Sequence, residues 1–341
     1  MVTTSNPTTA GVVPAAPQQP SKAARLQDLI TRFCNRRDLA ARTRVYYSNI
    51  LSHFEWYAGA QGWPEVSLIT RDHIRDFMEY VATEEFRWPE GGQPAYRRAS
   101  TATVHHYGKV VKTFFNWALD EEYLEANPAI RMKLGRPHYK EVEPYSDDEV
   151  RAVLAVCEED ARLGFRYLGL RNKAILCIFV ATGLRLEELA TIRLSRLDPR
   201  LQQVAVTGKG AKDRVVPING ESRKALRAYL QVRPAGGDQL WKTADGYPMA
   251  VHSVKIMIAR LKKRAGVISG GGAHRFRHYF ATRYLEAGGD INSLRLLLGH
   301  ATLDMVLRYA KFANAQRAVA EHEKFNPLDR LLKGDSRRWR Y

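Results

Sequence analysis

The sequence predicts a mainly α-helical protein with a small antiparallel β-sheet, built as a helical N-terminal domain and a larger C-terminal domain. Three observations lead there. Apolar residues between Ala24 and Leu134 recur at helical spacing in four separate stripes. A break containing Gly135, Pro137 and Pro144 follows. Beyond it helical spacing resumes, interrupted by two short valine-rich runs around a Gly-Lys-Gly turn.

Taken in order, residues 1–21 carry no charged side chain and four prolines, which predicts a disordered tail. Residues 22–134 form the helical domain. Its stripes are Leu26, Leu29, Ile30 and Phe33; then Tyr47, Ile50, Leu51, Phe54 and Tyr57; then Ile74, Phe77, Met78 and Val81; then Val104, Tyr107, Val111, Phe114 and Ala118. Thr70 and Ser100 stand where helix N-caps belong. Four helices with one apolar face each pack as a bundle. The stretch Phe86–Tyr96 reads as a long loop, and Asn127-Pro128 is expected to end the fourth helix. Residues 135–145 read as a linker. Ser146 with Glu149 forms a capping box that opens the second domain, 146–325.

In that domain Val150, Val153, Leu154 and Cys157 share one helical face. Ala174, Ile175, Ile178 and Phe179 share another, closed by Gly183. Strands are expected at Gln203–Val206 and Arg214–Ile218, and helices near Glu221–Val232, Val251–Ala265, His274–Ala287, Ile291–Leu298 and Leu303–Ala313. Residues 326–341 form a C-terminal tail.

Composition narrows the function. Lys and Arg exceed Asp and Glu by 17 over 341 residues, which suits a polyanionic partner. The basic residues of the helical domain, Arg42, Arg44, Arg97, Arg98, Lys109 and Lys112, fit either a solvated surface or a nucleic-acid face. The three cysteines lie in apolar surroundings without metal or disulfide spacing, as in a reduced cytoplasmic protein. No run is long and apolar enough to span a bilayer, so no membrane partner is expected.

Three motifs carry the chemistry. Ala181–Leu189 reads A-T-G-L-R-L-E-E-L. Thr207–Arg214 reads T-G-K-G-A-K-D-R. Ala273–Ala313 contains H-R-F-R-H from His274, then Leu298-Gly299-His300, then Tyr309 nine residues later. In this order they closely resemble the boxes of the tyrosine recombinases, the Xer, Cre and phage-integrase family, and the resemblance runs from about Arg25 to Phe325.

The resemblance implies an N-terminal SAM-like core-binding domain that clamps DNA with its basic residues, and a C-terminal catalytic domain. Arg185 and Arg277 would clamp the scissile phosphate, as a planar guanidinium suits. Lys209, between its two glycines, would be the general acid, with Lys212 its local competitor. His274 would accept the proton or support the nucleophile, and His300 would donate to a phosphate oxygen. Tyr309 would attack, giving a 3′-phosphotyrosine and a free 5′-hydroxyl with no metal or cofactor. Glu188 either orients Arg185 or forms a helix-surface pair with it. His278 reads as a structural partner. The spacing of His274 and His278 also matches a zinc pair, but the Glu that such a site needs is replaced by Arg275.

The expected activity is site-specific recombination of double-stranded DNA by a homo-tetramer, with accessory proteins as further partners. A type IB topoisomerase shares the chemistry, and a plasmid-relaxation assay set against a two-site recombination assay separates the two. A non-catalytic DNA-binding accessory protein would be expected to have lost a member of the residue set.

Overall fold

The computed structural model describes residues 25–63, 65–88, 95–137, 143–208, 213–300, 302, 303, 306, 307 and 309. The expected N-terminal tail, the middle of the Phe86–Tyr96 stretch, part of the linker, Lys209 and Lys212, and the C-terminal tail lie outside these residues. The chain divides into two compact units, Met1–Lys140 and Glu141–Tyr341.

The first unit contains α1 (Leu26–Cys34), α2 (Ala41–Ala60), α3 (Arg71–Thr83) and α4 (Thr101–Asp120). Thr70 and Ser100 cap α3 and α4, each accepting from the backbone N–H three residues on. The apolar stripes meet in an aromatic core. Phe54 meets Phe77 edge-on at 4.9 Å and Phe33 meets Phe114 at 5.6 Å.

Two expectations need correction here. The fourth helix ends at Asp120, not at Asn127-Pro128. Three acidic residues, Asp120 to Glu122, stand at a helix end that disfavours negative charge, and the chain turns there to bury Leu124. The ends of the Phe86–Tyr96 stretch also pair, as β1 (Phe86–Arg87) and β2 (Ala95–Tyr96), so there are two small sheets among the described residues rather than one. Trp88 anchors that ribbon. Its backbone is left-handed (φ 62°), and its buried ring stacks on His53 with centroids 4.4 Å apart. Burial and the nearby Arg87 push His53 down to about 4, so its ring is neutral and Nδ1 pairs with the Tyr107 hydroxyl at 2.7 Å.

The second unit contains α5 (Asp147–Arg162), α6 (Arg166–Thr182), α7 (Leu186–Ala190), β3 (Gln203–Thr207), β4 (Asp213–Pro217), α8 (Gly220–Val232), α9 (Val251–Arg264), α10 (His274–Glu286) and α11 (Ile291–Leu298). Ser146 and Glu149 cap α5 reciprocally. Helix α6 packs against α5, α8 and α10, which explains why its buried residues occur all round it. Strands β3 and β4 pair antiparallel, with Val206 opposite Arg214 and Thr207 opposite Asp213. Trp241, Tyr229, Phe179 and Phe276 are among the largest side chains of the main core.

A second, smaller cluster joins Ala281 and Leu285 of α10, Leu294 and Leu298 of α11, and the helical residues Val306 and Tyr309. Among the described residues no helix is long and apolar enough to cross a membrane.

Candidate active site

The site is assembled at the C-terminal end of α11. A helix end leaves carbonyls without intrahelical donors and carries partial negative charge, so it attracts cations. Gly299 closes α11 in the left-handed region (φ 64°), where a Cβ would lie 3.0 Å from Arg214 Nη1. Arginines then converge on the freed carbonyls. Arg277 Nη2 donates to Leu298 O at 2.8 Å, Arg214 Nε to Leu297 O at 2.9 Å, and Arg185 Nη2 to Gly299 O at 3.3 Å. Arg295 Nη1 reaches the carbonyl of His300 at 3.4 Å. The Leu-Gly pair before His300 is thus a turn that collects guanidinium groups.

Each arginine is aimed by its own element. Arg277 lies in the first turn of α10, and its Nη1 donates to the carbonyl of Gly183 at 2.8 Å. Gly183 is left-handed too (φ 59°), and a Cβ there would sit 2.4 Å from the Phe280 ring. Arg277 is only 4% exposed. Burial lowers its pKa while the Tyr309 phenol beside it works the other way, and a guanidinium stays charged through such a shift.

Arg185 is the N-cap residue of α7, and its side chain remains 32% exposed. Glu188 accepts from the Arg185 backbone N–H at 2.8 Å and from Arg185 Nη1 at 3.0 Å. The R-x-x-E spacing therefore lets one carboxylate accept from the first backbone N–H of the helix and pair with the arginine side chain at once.

The alternative left open for Glu188 resolves toward the site. The residue is 6% exposed and is not a helix-surface pair. Arg214 grips it with both ends of its fork, Nη1 to Oε1 and Nη2 to Oε2, each at 2.8 Å. Burial opposes the charged carboxylate, but hydrogen bonds from Arg214 and from the Arg185 backbone outweigh it and hold Glu188 at about 2.

His300 follows the turn and is 5% exposed. Its Nε2 lies 2.6 Å from Arg277 Nη2. Arginine can only donate, so Nε2 accepts and the proton of the neutral ring belongs on Nδ1. Among the described residues Nδ1 is buried without a partner. Burial, then Arg277, Arg185 and Arg214, push His300 down to about 4.

The Tyr309 ring lies between two imidazoles, 15° from parallel with His300 at 6.0 Å and edge-on to His278 at 5.0 Å. Burial and the nearby His274, Arg277 and Arg275 push His278 down to about 4.

The structure therefore brings together Arg185, Arg277, His300 and Tyr309 of the expected set. His274 stands at the head of α10, exposed, one turn before His278. Lys209 lies outside the described residues. Arg275 faces away from the site and donates to the carbonyls of Glu143, Pro144 and Gly270 at 2.7, 2.9 and 2.6 Å. Sequence reasoning gave Arg214 no role. The signal was its strand face: it shares a face with the buried Val216, where a surface arginine is not expected. The accepting carbonyls have no sequence signature. Permanently charged donors around a phenol suit the stabilisation of an anion that forms there.

Residues 145–316 match the phage integrase family, and residues 26–125 match the N-terminal SAM-like domain of phage integrases. The tyrosine recombinase XerC of Lactobacillus leichmannii is 28% identical over 298 residues, covering 85% of this chain and 90% of that protein. The tyrosine recombinase XerD of Ralstonia nicotianae is 27% identical over 325 residues, covering 92% and 98%. Among solved structures, the Tn1549 transposon integrase in complex with transposon right end DNA aligns with a TM-score of 0.65 at 19% identity, covering 89% of this chain and 100% of that one. The XerH site-specific recombinase in a post-cleavage complex with its difH substrate aligns at 0.65 and 19% identity, covering 86% and 83%. At these identities the structural likeness is one of fold.

Proposed function

This chain belongs to the phage integrase family, the tyrosine-type site-specific recombinases, and on that premise we propose that Tyr309 is its nucleophile and Arg185 and Arg277 its phosphate clamp. The observation that carries the assignment is the position of the phenol. Tyr309 packs on His278 and His300 and lies beside Arg277, which is itself fixed to the carbonyls of Gly183 and Leu298.

The substrate is double-stranded DNA. The Tyr309 oxygen attacks the scissile phosphorus, the bond from phosphorus to the 5′-oxygen breaks, and a 3′-phosphotyrosine remains. Arg185 and Arg277 neutralise the non-bridging oxygens, and His300 donates to one of them from Nδ1. His274 takes the phenolic proton and Lys209 returns one to the departing 5′-oxygen. The bond energy is kept in the phosphotyrosine, so the free 5′-hydroxyl of a second strand can reverse the step without a nucleotide.

The working assembly is a homo-tetramer on two duplexes, assisted by accessory proteins where direction is controlled. Leu296, Leu303 and Leu307, 63%, 42% and 47% exposed near the site, are suited to receive a neighbouring subunit. The core-binding role of residues 22–134 and the catalytic role of residues 146–325 belong to the same reading.

The test is covalent capture on a nicked suicide duplex. The wild-type chain should form a protein–DNA adduct, and Tyr309→Phe should bind the duplex within about twofold and form none. An adduct that survives the substitution moves the nucleophile elsewhere.

A further inference from the structure

We infer that Arg214 is a positioning residue that keeps the Glu188 carboxylate from competing with the scissile phosphate for Arg185. The inference rests on the phosphate-clamp reading of Arg185.

Glu188 is the buried acid of the site, and its two oxygens face two guanidinium groups. Arg214 covers both oxygens at 2.8 Å, whereas Nη1 of Arg185 touches one of them at 3.0 Å. The division is unequal because Arg214 is anchored from behind. Its Nε is fixed to the carbonyl of Leu297, and its backbone is fixed by pairing with Val206 across the hairpin. A fork held at all three nitrogens has one orientation, and that orientation points at the carboxylate.

Arg185 is held more loosely. Its remaining side-chain bonds, to Leu298 O and Gly299 O, are 3.5 and 3.3 Å long, and it keeps the exposure needed to reach a ligand. Without Arg214 the carboxylate stays ionised, because the Arg185 guanidinium and backbone N–H still hold it. Arg185 then becomes the main counter-ion of a buried carboxylate and is drawn away from DNA. The same negative charge also faces the phosphate uncovered and repels it. Both effects grow as negative charge accumulates on the non-bridging oxygens in the transition state, so they fall on the cleavage step more than on binding.

The experiment uses the full chain and a nicked suicide duplex whose site is recovered from random DNA by covalent capture on the wild-type protein. A second duplex carries a methylphosphonate at the scissile position, which replaces one charged oxygen by a neutral methyl group. Wild-type adduct on the phosphodiester, absent from Tyr309→Phe, establishes the reading beneath the inference; a wild-type chain that forms no adduct refutes that reading and this inference with it.

Arg214→Gln should then cleave the phosphodiester about 10²-fold more slowly than wild type, with duplex binding changed by less than about threefold. On the methylphosphonate its deficit should shrink to about tenfold or less, because the repelled charge is gone. Arg214→Lys, which keeps the charge and loses the fork, should fall between wild type and Arg214→Gln on the phosphodiester. An equal deficit of Arg214→Gln on the two duplexes overturns the inference and leaves Arg214 a structural strut. Loss of folding in both variants, read by circular dichroism, overturns it as well.

Discussion

At the scale of single residues, burial, reinforced by nearby basic groups, keeps the rings of His278 and His300 neutral. His278 and His300 are held at about 4, against 6.5 for an exposed histidine. As pH falls below 6.5, the unfolded chain takes up these protons first and the folded chain resists until about 4, so acid favours unfolding across that interval. Each unit of depression corresponds to about 1.4 kcal/mol. The thermal midpoint of the wild-type chain should therefore fall between pH 6.5 and pH 4. In His278→Gln the midpoint should fall less, the stability lost over that interval being smaller by on the order of 1–3 kcal/mol. A slope identical to wild type in thermal scans would place the acid sensitivity on other groups. Glu188 acts lower on the scale. Its stabilisation is complete above pH 4.5 and is lost as pH falls toward its folded value of about 2.

At the scale of elements, the turn after α11 matters more than its single glycine suggests. Gly299→Ala should lower the thermal midpoint by roughly 4 °C, since a left-handed alanine costs about 1–2 kcal/mol. Adduct formation should drop more than DNA binding does, because the displaced carbonyls orient Arg185, Arg214 and Arg277. Equal losses in capture and gel-shift assays would mean that the turn supports the fold alone.

This turn also marks how far the sequence could be read. Leu298-Gly299-His300 was recognisable as a motif, and the bounds of α11 followed from apolar spacing. That three backbone carbonyls would bind three arginines was not readable, because peptide groups are the same in every residue. The end of α4 was misplaced for a related reason: Pro128 is a strong stop, but the acidic run before it had already turned the chain. The ribbon of β1 and β2 escaped notice because two-residue strands carry no period, and Arg214 was seen as part of a motif but not as a partner of Glu188.

At the scale of the whole chain, an excess of 17 basic residues over two units predicts binding that weakens steeply with salt. Each phosphate contact adds about 0.9 to the slope of log affinity against log salt. Cutting the chain between Leu134 and Pro144 should reduce affinity by far more than either half loses in folding, because each half then binds without the effective concentration supplied by the other. A fragment from Ser146 onward that binds as tightly as the full chain in gel-shift titrations would refute a two-part clamp. Truncation before Phe325 should leave single-site binding nearly intact and abolish pairing of two sites and recombination. Wild-type recombination by the shortened chain would show that the tail does not join subunits.

The small cluster of α10 and α11 gives Tyr309 a second occupation. Tyr309 belongs to the same buried cluster as Leu285, Leu294, Leu298 and Val306, so the proposed nucleophile also helps to close the end of its domain. Phenylalanine preserves that packing and omits one oxygen. A Tyr309→Phe chain should therefore accumulate in a cell as well as its parent and occupy the same sites, acting as a poison whose dose can be set. If recombination needs all subunits of one assembly, co-expression at parity should depress it by far more than half. A strictly proportional decline would show that each protomer cuts on its own account.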